Sequence, residues 1–239
     1  MNQYKSSSQL KSLAKGQLLG KYPTVIGAFL LSQVIMLILS SLPVLFVDTT
    51  TIPGSIIDFL ITFIISLFAG IFSAGQAYIY LNISCGHNCQ ATNVFYGFKQ
   101  HPDKALLLQL TIAGISIVSM LPCYFFMLIA DYTTDIIWVL PTCITLIIGG
   151  IVATYFSLAF SQVYYLLLDF PNYSVKQLLS LSWKIMKGHK ARLFYISISF
   201  LPLYLLALLS CGIGMLWITP YVNATMTNFY LDLIRNRQA

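Results

Sequence analysis

The sequence predicts an all-α fold: a polytopic membrane bundle of six transmembrane helices, arranged as three hairpins, each preceded by a short cytoplasmic amphipathic helix. Three observations lead there. Of the 239 residues, 58% are hydrophobic and only 8% charged, against about a quarter charged in soluble domains, so the chain lacks the polar surface to cover itself in water. Its apolar residues gather in six runs, most of them near or above the ~20 residues that a helix needs to cross the hydrocarbon layer. Sorted by alternate loops, all 13 Lys and Arg fall on one side of those runs. Soluble, disordered and collagenous folds are excluded by the same composition.

The runs cover 24–47, 55–81, 105–130, 136–168, 193–209 and 213–231. The first is too long for a signal-peptide core and lacks a small-residue cleavage pattern, so it is expected to remain as a span. The last is the weakest, because Pro220, Asn223, Thr225, Thr227 and Asn228 dilute it; a kinked or partly wet crossing is expected there. Asp103, Asp169 and Asp232 share the basic side, which carries +10 from 13 cations and three Asp, while Asp48, Asp58, Asp131 and Asp135 give the other side −4. Cytoplasmic loops collect Lys and Arg, so both termini are placed in the cytoplasm, as an even number of spans requires. The overall +6 thus encodes orientation, and no nucleic-acid partner is expected.

One integral membrane domain is expected over residues 1–239, with three pseudo-repeats at about 5–82, 91–168 and 174–232. Each opens with an amphipathic stretch. Around 8–19, Leu10, Leu13, Ala14 and Leu18 share a face, with Lys11 and Lys15 on another. In 174–187, Val175, Leu178, Leu179, Ser182 and Met186 line one face and Lys176, Ser180, Lys184 and Lys187 another, with Gly188 as the expected stop. A shorter version at 92–98 offers Val94, Phe95 and Phe98. Such helices lie at the headgroup boundary, and Lys11, Lys15, Lys176, Lys184, Lys187, Lys190 and Arg192 form a candidate surface for anionic lipid or a membrane-protein partner.

Small residues mark the returning spans: Ala69, Gly70, Ser73, Ala74 and Gly75 in the second, Gly149, Gly150, Ala153, Ser157 and Ala159 in the fourth, Gly212, Gly214 and Ala224 in the sixth. They let helix backbones approach closely, which predicts that the three returning helices form the centre while the outgoing ones face lipid. The same small faces would also serve a homo-oligomer.

No catalytic residues, cofactor or resident metal are expected. Ionisable groups are nearly absent from the span interiors, which disfavours proton-coupled chemistry. Gln76, Gln162 and Asn223 are the residues of a possible central polar site. Cys85, His87, Cys89 and His101 are weak metal candidates, because zinc takes four N or S ligands but their spacing matches no usual paired-Cys pattern. The five cysteines are an odd set, so a disulfide framework is not expected. No P-loop, G-x-G-x-x-G or H-E-x-x-H motif occurs, and Gly70-Ile71-Phe72-Ser73-Ala74-Gly75 misses the nucleophile elbow by one position. Sequons at Asn82, Asn172 and Asn223 fall on the cytoplasmic side or inside a span, so glycosylation is not implied.

The segment Leu181-Ser182-Trp183-Lys184-Ile185-Met186-Lys187-Gly188-His189-Lys190, followed by Leu193-Phe194, resembles a signature of the bacterial domain-of-unknown-function 975 membrane proteins. Leu10-Lys11 through Ala14-Lys15 to Leu18, Val94-Phe95-Tyr96-Gly97-Phe98-Lys99, and Pro220-Tyr221 with Phe229-Tyr230 resemble the same family in order. Pro202 departs from it where an aromatic is usual, and the Cys85 to Cys89 segment is particular to this chain. The resemblance implies a multi-span protein of the plasma membrane of Gram-positive bacteria, and it brings no established activity. The leading expectation is a non-enzymatic accessory, assembly or protective factor that binds anionic lipid or a membrane partner through its basic helices. The alternative is a carrier or pore for a neutral or amphiphilic small solute, through the small-residue centre.

Overall fold

The computed structural model describes residues 4–133 and 135–238, and these are helical and connecting segments without strands. The chain opens with α1 (Ser7–Leu18), then two long helices, α2 (Tyr22–Phe46) and α3 (Ile52–Ser84). A 3-10 turn at Ala91–Phe95 leads into α4 (Tyr96–Lys99), followed by α5 (Pro102–Thr133). A second 3-10 turn at Ile136–Trp138 precedes α6 (Val139–Phe160) and α7 (Val163–Asp169). Then come α8 (Val175–Met186), α9 (Lys190–Ile198), α10 (Leu201–Leu209) and α11 (Met215–Gln238).

Local chemistry sets several of these boundaries. Ser6 caps α1 by accepting from Gln9 N–H, while the Gln9 side chain accepts from Ser6 N–H at 2.9 Å. Ser174 and Gln177 cap α8 in the same reciprocal way, so two orphan donors are satisfied at each start. Gly188 ends α8 at φ +83°, a left-handed conformation that costs glycine nothing. The fourth apolar run is interrupted at Ser161 and Gln162. The fifth breaks at 199–200 for a clearer reason: Pro202 lacks an N–H and its ring would clash with the carbonyl of Ile198 in a continuous helix.

Five helical stretches among the described residues are long and apolar enough to cross a membrane: Tyr22–Phe46, Pro53–Ser84, Pro102–Thr133, Ile136–Asp169 and Lys190–Leu209. The chain is thus a multi-pass membrane protein. The sixth expected span, α11, falls outside this set because Asn223, Asn228, Asp232 and five threonine or arginine neighbours lower its apolar content. It is instead among the most enclosed helices, with Ala224, Thr225, Thr227, Phe229, Tyr230 and Leu233 all buried.

Two adjoining cores surround it. One joins Leu10, Ile71, Leu108, Leu166, Leu178, Ile196, Phe200 and Tyr230; the other joins Ala14, Leu18, Val25, Phe72, Ile79, Val94 and Ala224. Both lie toward the second half of α3; the first meets α11 at Phe229, Tyr230 and Leu233, the second at Ala224. Away from them apolar side chains point outward, with Phe46 82% and Ile136 88% exposed, as befits a surface solvated by lipid tails. The expected centre is realised by α3 and α11 but not by α6. Gly149 packs beside the Ser119 carbonyl of α5, so the small residues of α6 serve a pair with α5 and leave most of that helix exposed.

The tightest crossing is an interlock of α3 with the 3-10 turn and α4. A Cβ on Gly75 would collide with the Val94 carbonyl, and one on Gly97 with the Ile71 carbonyl. Gly75→Ala is expected to destabilise the protein by about 2 kcal/mol or more, since backbone must move to relieve the overlap. Gly16→Ala, in α1 with open space around it, is expected to be neutral or to stabilise by up to about 1 kcal/mol. Paired thermal melts in detergent check both.

Candidate functional site

Helix α8 divides its faces cleanly. Leu178, Ser182, Ile185 and Met186 are buried, with Ser182 Oγ donating to the Ala159 carbonyl at 2.7 Å, which ties α8 to the end of α6. Lys176, Ser180, Lys184 and Lys187 are exposed on the other side. Trp183 stands at the border, its ring 5.8–5.9 Å from those of Tyr155, Phe156 and Phe160 on α6. Lys190 closes the corner: its Nζ lies 3.5 Å from the Tyr155 ring centre and 3.9 Å from that of Trp183, a cation–π geometry that fixes the ammonium in place.

Three hollows adjoin across this face, all sharing Lys184. One of about 320 Å³ is lined by Tyr155, Trp183, Lys184, Lys187 and Lys190. One of about 590 Å³ lies among Tyr173, Lys176, Gln177, Lys184 and Arg237. The third, about 250 Å³, is bounded by Tyr4, Lys184, Lys187, His189 and Arg237. No Asp lines any of them. His189, edge-on to Tyr4 at 4.6 Å, is held below its ordinary pKa first by burial and then by the nearby Arg192 guanidinium, with Asp232 opposing. Positive charge therefore accumulates here without a carboxylate in the hollows to neutralise it.

Of the seven cations expected on a lipid or partner surface, Lys176, Lys184, Lys187 and Lys190 meet at these hollows, and Arg237 joins them from the end of α11. Lys11 and Arg192 are held by the fold itself. Lys11 Nζ donates to the Ser199 carbonyl at 3.0 Å and lies 4.1 Å from the Phe200 ring centre; burial lowers its pKa. Arg192 pairs with Asp232 at 2.6 Å and donates to the Lys5 carbonyl, with its guanidinium over Phe229. Lys15 is exposed on α1. Arg237 was missed because a cation at a chain end carries no local signal of what the end packs beside.

The structure also brings together part of the expected central polar site. A hollow of about 150 Å³ is lined by Ser73, Gln76, Tyr80, Ser161, Tyr164 and Asn223. Gln76 donates to Ser32 Oγ at 2.9 Å, and Tyr164 donates to Gln109 at 2.6 Å. Gln162 is not in the lining but touches it through Ser161, whose Oγ accepts from its Nε2 at 2.8 Å. The Ser161 hydroxyl donates to Leu158, so the Gln162 amide nitrogen must face it. That leaves the buried Gln162 Oε1 without a partner among the described residues.

Around the weak metal candidates, Cys85 is exposed and the Cys89 thiol points to the Ile79 carbonyl. His87 contributes its carbonyl to Lys21. No group of three or more His, Cys, Asp or Glu side chains among the described residues is placed to hold a metal ion.

A family model described as "Protein of unknown function (DUF975)" matches residues 1–237. No curated protein and no solved structure matches the chain.

Asp232 is 5% exposed at its side chain, and Arg192 21%. Asp232→Ala leaves the guanidinium unpaired between α1, α9 and α11. The loss is expected to be about 2 kcal/mol, below the figure for a fully buried pair because Arg192 keeps some access to solvent. Asp232→Asn, which retains a hydrogen-bond acceptor, should lose less; chemical denaturation of the two variants in matched micelles decides the order.

Proposed function

Because the chain belongs to the DUF975 family along almost its whole length, we propose that it is a non-enzymatic protein of the bacterial plasma membrane whose basic face binds anionic lipid. It serves there as an accessory, assembly or protective factor. The observation that carries this reading is the convergence of Lys176, Lys184, Lys187, Lys190 and Arg237 on adjoining hollows free of Asp. Phosphate groups of lipid headgroups suit such a set, because several ammonium groups share one charge and Arg can form two parallel hydrogen bonds to it. Tyr155, Tyr173 and Trp183 are the aromatic residues expected at headgroup level.

Both termini face the cytoplasm in this reading, and α11 makes the sixth crossing. Its 24 residues reach about 36 Å at 1.5 Å per residue, and its polar groups are supplied internally. Thr225 and Thr227 donate to the Tyr221 and Asn223 carbonyls, and Asn228 donates to Gln17. A polar helix can cross when its neighbours shield it.

The test is lipid enrichment in nanodiscs of mixed phosphatidylglycerol and phosphatidylcholine. Each Lys near the surface contributes roughly 1 kcal/mol toward anionic lipid, so K176Q/K184Q/K187Q together should lower phosphatidylglycerol enrichment at least tenfold. Unchanged enrichment in that variant refutes the reading.

The polar hollow at Gln76 and Asn223 favours a second reading, a carrier for a small neutral solute. A volume of about 150 Å³ suits a few waters or one very small molecule. Liposome swelling with urea or glycerol distinguishes it: transport predicts a flux that falls in Gln76→Leu and Asn223→Leu, and no flux above empty liposomes ends that reading.

A further inference from the structure

Beside the basic face, α5 and α6 lean on each other and leave a groove of about 750 Å³ between them, within the range of ligand sites. Leu110, Gly114 and Val118 form one wall; Ile148, Val152 and Phe156 form the other. Thr111, Ser119 and Thr145 also line it, but their hydroxyls donate to the carbonyls of Leu107, Ile115 and Pro141 on their own helices. Each donor is thus already satisfied, and the groove presents hydrocarbon. Space is open at Gly114, where an added Cβ meets nothing within 4 Å.

The groove has the length of an acyl chain in one leaflet. From Leu110 to Pro122 it runs about 18 Å along α5, taking 1.5 Å per residue, against about 15 Å for half of the hydrocarbon core. One end of it is Phe156, whose ring lies 5.9 Å from Trp183. Tyr155, the next residue, and Trp183 are the aromatic walls of the 320 Å³ hollow that holds Lys184, Lys187 and Lys190. An apolar trough therefore ends one aromatic contact away from a cluster of three ammonium groups, and no Asp lines either part.

We propose that one anionic phospholipid is held at this junction, with an acyl chain between α5 and α6 and its phosphate among Lys184, Lys187 and Lys190. The proposal rests on the lipid-binding reading above and makes it specific. A surface cluster alone would attract any anionic headgroup in exchange, whereas the trough adds selection for the chain and retains the lipid when the surrounding bilayer is removed. Trp183 and Tyr155 position Lys190 through cation–π contact, so the ammonium is presented toward the hollow.

Native mass spectrometry of the full chain, transferred from the mixed nanodiscs to detergent, tests it. The wild type is expected to keep one phosphatidylglycerol and to keep the sixteen-carbon form over the six-carbon form by at least tenfold. Gly114→Phe, and separately Val152→Trp, fill the groove; each should lose the retained lipid at least tenfold and lower enrichment of phosphatidylglycerol in intact nanodiscs by less than that. Lys184→Gln with Lys187→Gln should lower both. Glycerol 3-phosphate, a headgroup without a chain, should not displace the retained lipid at equal concentration. The proposal is overturned if retention is the same for phosphatidylcholine, independent of chain length, or unchanged in both groove variants. It is also overturned if site-specific cross-linking at Val118 captures a second copy of the chain in place of lipid. Loss of nanodisc enrichment as well in wild type would instead refute the underlying reading.

Discussion

Helix α11 is too polar to face hydrocarbon, and enclosing it is the requirement around which the other helices are placed. An unsatisfied polar group in a bilayer costs several kcal/mol, so Asn223, Thr227, Asn228 and Asp232 need partners supplied by protein. They come from distant parts of the chain. Tyr165 on α7 meets Thr227, Gln17 on α1 exchanges hydrogen bonds with Asn228, and Arg192 on α9 with the Lys5 backbone completes the set at Asp232. Tyr230 donates to Asp169. Hydrophobic force between helices is weak where the solvent is itself apolar, so these polar contacts specify which helices surround α11.

That requirement also explains why the molecule is packed toward one end. The buried side chains of α1, α7, α8 and α9 gather where the partners of α11 stand, while the opposite halves of α2, α3, α5 and α6 present apolar side chains outward. Among the described residues nothing polar on α5 or α6 bonds to α11, and Gln109 accepts from Tyr164 on α7. The two helices instead close on each other through Gly149 and Ser119. The pair meets at Gly149 and Ser119 and again at Cys123 and the Thr142 carbonyl, and the α5–α6 groove lies along the same contact.

Much of this could be read from the chain. The apolar run at 24–47 matches α2 to within two residues at each end, and those at 55–81 and 105–130 lie inside α3 and α5 with ends a few residues short, because hydropathy marks the apolar body of a span and not the turns beyond it. The starts of α1 and α8 carried a further signal in Ser-x-x-Gln, the reciprocal cap, which fixes them more sharply than amphipathic periodicity does. Gln76 and Gln162 stand at matched places on returning helices, yet only Gln76 of that pair lines the polar hollow, with Asn223 beside it. What sequence pattern could not supply were partners far apart along the chain. Lys11 reaches a carbonyl 188 residues away and Arg192 a carboxylate 40 residues away, so their charges serve the fold rather than a surface. Likewise the small residues of α6 announce close packing without saying which neighbour receives it.

The basic face gains meaning from where the acids went. Repulsion among Lys176, Lys184, Lys187 and Arg237 disfavours their approach, and a carboxylate placed among them would relieve it. The chain has seven Asp and no Glu, and the two nearest in sequence to this region are already engaged, Asp169 by Tyr230 and Asp232 by Arg192. Using both to enclose α11 leaves the hollows around Lys184 without an internal counter-charge. Any anion bound there would stabilise the folded state, since a ligand bound by the native form alone shifts the folding equilibrium toward it. The uncompensated charge around Lys184 and the burial of α11 are in this way linked through a single distribution of charge: the carboxylates engaged in burying the polar helix are the ones withheld from the lysines.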